Sequence, residues 1–62
     1  MTPRAKMSAL ARRTAKLAED CKRLAPEVDD VLARGDLESA HDDLRAVAQS
    51  LRRGVAHYDP KH

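Results

Sequence analysis

The segment Cys21-Lys22-Arg23-Leu24-Ala25-Pro26-Glu27-Val28-Asp29-Asp30-Val31-Leu32-Ala33-Arg34-Gly35-Asp36-Leu37 holds the two residues that could turn this chain back on itself. Pro26 has no amide proton, and its ring crowds the carbonyl one turn earlier, so it breaks or kinks a helix. Gly35 followed by Asp36 has the form of a helix-ending glycine and the N-cap of a following helix. The apolar pattern weighs between them. Cys21, Leu24, Val28 and Val31 keep a seven-residue period straight through Pro26, which falls at the outward f position, where a kink disturbs packing least. The pattern therefore predicts an all-α helical hairpin: a long helix over about 3–33 kinked near Ala25, a turn at 34–36, and a second helix over about 36–57. The competing reading breaks the chain at Pro26 and gives a three-helix bundle.

Outward from this segment the same period continues. With Met7 as position a, the a and d positions of the first run are Met7, Leu10, Thr14, Leu17, Cys21, Leu24, Val28 and Val31. A second run after Gly35 reads Leu37, Ala40, Leu44, Val47, Leu51, Gly54 and Tyr58. The e positions are also mostly apolar and small: Ala11, Ala18, Ala25 and Leu32, then His41, Ala48 and Val55. Three apolar positions in seven are more than a two-stranded seam uses, and a helix so patterned touches two neighbours, as in a four-helix bundle. The small e residues would let helices approach closely on one side. Thr2 before Pro3 has the form of an N-cap followed by proline at the first helical position. Asp59-Pro60 would end the second helix, leaving 59–62 as a frayed tail of a single helical domain spanning 1–62.

A chain of 62 residues with one aromatic, Tyr58, and an apolar fraction made largely of alanine buries little area on its own. Domains this small usually need a disulfide, a metal or a partner subunit. The single cysteine, Cys21, cannot close an internal disulfide and fits a reducing, cytoplasmic setting. Cys21 and the three histidines match no zinc spacing, so no cofactor is expected. Self-association remains. The seam expected to carry it comprises Met7, Leu10, Leu17, Cys21, Leu24, Val28, Val31, Leu37, Leu44, Val47 and Leu51. No uninterrupted apolar run marks a membrane span or a secretory segment. The acid-free, amphipathic first eighteen residues can look like a mitochondrial transit peptide, but the same stretch reads well as the first helix of the domain, which is the reading preferred.

Charge is segmented along the chain. Residues 1–25 carry seven basic and two acidic side chains, residues 26–44 one basic and seven acidic, and residues 45–62 four basic and one acidic. A hairpin sets the two basic segments side by side at its open end and the acidic segment around its turn. A second hairpin with its turn at the opposite end would relieve that repulsion, so the expected assembly is an antiparallel homodimer.

For function, the favoured expectation is a non-enzymatic protein-interaction module: a small homodimeric regulator or adaptor that docks helix faces against itself and a protein partner. The alternative is a small basic nucleic-acid-binding regulator using Arg4, Lys6, Arg12, Arg13, Lys16 and Arg23, because cations in a first helical turn oppose the helix dipole and welcome an anion. No aromatic is available there to stack on bases. No phosphate loop or nucleophile–base set is present, so neither catalysis nor a small-molecule substrate is expected. Two short likenesses exist. Gly35-Asp36-Leu37-Glu38-Ser39-Ala40, continued by Leu44, resembles the turn and second-helix start of a tetratricopeptide repeat, but it occurs once, and one such repeat cannot bury its own face. Glu38-Ser39-Ala40-His41-Asp42 is similar to part of the second helix in the repressor-of-primer family of RNA-binding hairpins. That resemblance implies a dimeric four-helix bundle; its first-helix register and RNA-face aromatic have no counterpart here, so no binding residue is carried over.

Overall fold

The computed structural model describes residues 2–58. Two α-helices lie side by side: α1 spans Pro3–Leu24 and α2 spans Val31–His57, joined by a single 3₁₀ turn at Ala25–Glu27 and an extended link. The Thr2 side chain caps α1, with Oγ1 accepting from the Ala5 amide at 3.1 Å. Pro3 then occupies the first turn, where its missing amide proton costs nothing. The expected end of the second helix at Asp59-Pro60, and the tail 59–62, lie outside the described residues; α2 ends at His57 and Tyr58 caps it.

The reversal occurs at Pro26, not at 34–36. The first helix therefore stops at Leu24 instead of running to about 33, and α2 begins at Val31 instead of 36. The energetics explain the choice. Carrying a helix through an interior proline costs about 3 kcal/mol, whereas carrying one through glycine costs about 1 kcal/mol. Pro26 is instead placed at the start of the 3₁₀ turn, where a proline fits. Gly35 is an ordinary helical residue of α2; among the described residues no glycine has positive φ. Asp36 is not a cap. That role falls to Asp30, whose Oδ1 accepts from the amides of Leu32 at 2.8 Å and Ala33 at 3.1 Å. Arg34 closes the link from the far side, donating through Nε and Nη2 to the Val28 carbonyl at 3.1 and 2.7 Å. The competing reading is right about the break at Pro26, but because Gly35 does not interrupt α2 the break yields two α-helices and not three.

The helices pair through a and e positions. The buried side chains are Ala11, Ala18 and Ala25 against Ala48, each 1–5% exposed. Half-buried Met7, Thr14, Cys21 and Val28 of the first register, and Leu37, His41, Leu44, Leu51 and Val55 of the second, complete this seam. Alanine at its centre permits a close approach: a Cβ added at Gly54 would stand 2.7 Å from Met7 Cε across the hairpin. His41 Nδ1 donates to the Ala18 carbonyl at 3.2 Å, which among the described residues is the hydrogen bond that ties α1 to α2. The result is a slab with principal extents of 51 × 17 × 10 Å. It is one helix thick, so a residue outside the seam has water on at least one side.

Candidate functional site

In a helical wheel the d positions flank the a/e seam on one side and the b positions flank it on the other. Two antiparallel helices paired through the same positions turn equivalent flanks to the same side, so the slab has a d face and a b face of different chemistry.

The d face is apolar. Leu10, Leu17, Leu24 and Val47 are 47–54% exposed, and Ala40 and Gly54 complete the row on α2. Leu44, Leu37 and Leu51 border it from the seam, each partly covered. Most of the expected seam is thus gathered on or beside this face: Met7, Leu10, Leu17, Cys21 and Leu24 from α1, and Leu37, Leu44, Val47 and Leu51 from α2. Val28 is half-buried in the link. Val31 is 76% exposed and Leu32 is 82% exposed. Both belong to the register of α2, in which they fall at b and c, and the structure does not bring Val31 to the row. Their fit to the first heptad run was a coincidence of numbering across the turn.

The b face is polar. A groove of about 660 Å³ runs along it between the helices, floored by Ala15, Ala18 and Ala48 and edged by Lys22, Arg23, Arg45, Arg52, Gln49 and His41. Glu19 is the acidic side chain on this rim, and it pairs with Arg23 at 3.8 Å. Nearer the turn the same face changes sign, where Glu38 and Asp42 join Lys22 and Arg34 around a second depression. Of the cations singled out from sequence, the groove includes Arg23. Arg4, Lys6, Arg13 and Lys16 stand exposed along α1, and Arg12 borders a smaller dip with Arg52 near the open end. Lys22, which the sequence also sets among the basic residues off the first helix's apolar stripe, joins Arg23 on this rim; the second-helix cations Arg45 and Arg52 were missed by sequence reasoning because their convergence with α1 depends on how the two helices are levelled. That level follows from the turn at Pro26.

The hairpin concentrates charge by halves. The nine acidic residues that are described all lie between residues 17 and 44, the turn half, together with Lys22, Arg23 and Arg34. The open half, residues 2–16 and 45–58, carries Arg4, Lys6, Arg12, Arg13, Lys16, Arg45, Arg52 and Arg53 and no acidic residue. Two ion pairs form within α1, Lys16–Asp20 at 3.0 Å and Arg23–Glu19 at 3.8 Å. Both are exposed i,i+4 pairs, worth about 0.3–0.5 kcal/mol each, too little to offset eight like charges on one half.

Among the described residues no group of three His, Cys, Asp or Glu side chains could hold a metal ion, and no helix is long and apolar enough to cross a membrane. No protein-family model matches the chain, and neither a curated protein nor a solved structure matches it.

Proposed function

We propose that this chain is a non-enzymatic helical interaction module, a small regulator or adaptor whose working form is a homodimer closed over the d face. The observation that carries this is the division of labour between residues: alanines close the hairpin, while Leu10, Leu17, Leu24 and Val47 are left half exposed in one row. A face of 51 × 17 Å offers a footprint on the order of 850 Å², against the roughly 800 Å² per partner that specific, stable interfaces bury. Pairing two such slabs gives a four-helix bundle in which each helix uses its three apolar positions, a and e within the copy and d between copies. The b faces then point outward and stay free for a further partner. Sedimentation equilibrium tests this at tens of micromolar: the expected mass is twice 6.9 kDa, and the mass of one chain would remove the homodimer.

A second reading has its own observation. The alanine-floored groove with Lys22, Arg23, Arg45 and Arg52 on its rim is suited to a polyanion, and nucleic acid is the polyanion that gives such binding a regulatory use. Heparin retention that collapses between roughly 50 and 200 mM salt, and that is lost when Arg45 and Arg52 are changed to Glu, supports it. Retention indifferent to that double change removes it.

A further inference from the structure

The positions that flank the d face on its outer side are the g positions, and their charges form a code. Along α1 and the turn that follows it they read Lys6, Arg13, Asp20, Glu27: two cations, then two acids. Along α2 they read Asp36, Asp43, Ser50, His57. In antiparallel helix pairs that meet through d, g residues face g residues, and such flanking charges choose partner and orientation. We infer that the occupant of the d face is an inverted second copy, in which α1 lies antiparallel across the partner's α1 with Leu17 at the two-fold axis. This rests on the reading of the d face as a docking surface and adds which helix meets which, and in what register.

The register follows from matching rows. With Leu17 on the axis, Leu10 stacks on the partner's Leu24, Arg13 faces the partner's Asp20, and Lys6 faces the partner's Glu27. Symmetry makes each of these contacts twice. Asp20 is also held by Lys16 of its own helix at 3.0 Å in an exposed pair, so Arg13 joins a small network of alternating sign. The Met7–Gly54 approach levels residue 17 of α1 with residues 43–44 of α2. The same axis therefore sets Ala40 on α2 against the partner's Val47, small against large. Asp43 is the one mismatch, since it meets its own copy near the axis at the exposed flank. The rival arrangement, with both turns at one end, lays α1 across the partner's α2. It sets Asp20 beside the partner's Asp43 and Glu27 beside the partner's Asp36, like charge on like, and leaves Lys6 and Arg13 without an acid.

A cysteine placed on the axis tests the register. In a Cys21→Ser background, Leu17→Cys under oxidised glutathione should convert nearly all of the chain to a covalent dimer, because the two Cα atoms then meet across the seam. Native Cys21 in the unaltered chain should not cross-link. Its two copies stand eight residues apart along antiparallel helices, about 12 Å, beyond the roughly 7 Å a disulfide spans. Charge reversal gives the second arm: Arg13→Asp should weaken the dimer about tenfold at low salt, and adding Asp20→Arg should restore it. A dimeric mass without cross-linking at position 17, or without rescue by Asp20→Arg, overturns the inverted register and leaves the docking face standing. A single-chain mass for the unaltered protein overturns the second copy as occupant.

Discussion

Replacing Ala18 by leucine should destabilise the hairpin, although it adds apolar surface to a sequence poor in it. Ala18 is 1% exposed, sits at the centre of the a/e seam, and offers its carbonyl to His41 across the helices at 3.2 Å. With Ala18 this covered, three extra carbons either part the helices or crowd the floor of the groove that Ala18 shares with Ala15 and Ala48. Parting the helices breaks the His41 contact and uncovers Ala11 and Ala48. Overpacking a close seam costs about 1–3 kcal/mol. A domain of this length holds on the order of 3–9 kcal/mol in total, so the loss is a large share of it. At roughly 4–8 °C per kcal/mol for a small domain, the melting midpoint followed by circular dichroism should fall by about 5–20 °C. An unchanged or higher midpoint would mean that leucine finds space at position 18, and the close alanine seam would be refuted.

The neighbouring residue should behave in the opposite way. Leu17→Ala leaves the hairpin helical but removes the exposed half of a leucine from each copy, worth about 1.5–3 kcal/mol per dimer; sedimentation should show dissociation roughly ten- to a hundredfold easier. Gly35→Ala should raise stability by about 0.5–1 kcal/mol, since Gly35 is helical and a Cβ there meets nothing within 4 Å; a fall in urea midpoint would mean a left-handed glycine and a turn at 34–36. Asp30→Ala removes the cap on the Leu32 and Ala33 amides and should cost about 1 kcal/mol by the same assay.

Most of the helical content was legible from the seven-residue period, and Thr2-Pro3 marked the start of α1. The e-position alanines also disclosed that one side of each helix would approach a neighbour closely, which is what Ala11, Ala18, Ala25 and Ala48 do. The turn was misplaced because two local rules conflicted. Continuity of the apolar pattern through Val28 and Val31 favoured passage across Pro26, and the cost of an interior proline opposed it. The period was the weaker witness, because two helices joined by a short link can keep an apparent register by chance. The decisive local signal was Asp30 ahead of Val31, an N-cap that outweighs a glycine whose neighbours tolerate helix. Moving the turn by nine residues also changes which cations share a face, so the Lys22, Arg45 and Arg52 rim could not be assembled from a single helix's charge list. The half-exposed leucine row was visible in sequence as a surplus of apolar positions, but assigning d to the outside required knowing that a and e close the hairpin.

The division between inner alanines and outer leucines is tested most directly by isotope-filtered nuclear Overhauser spectroscopy on an equal mixture of labelled and unlabelled chain, which records contacts between copies alone. The methyls of Leu10, Leu17, Leu24 and Val47 should give cross-copy peaks, and those of Ala11, Ala18 and Ala48 should give none. Cross-copy peaks on the alanine methyls, or silence from the leucines in a sample of dimeric mass, would contradict it.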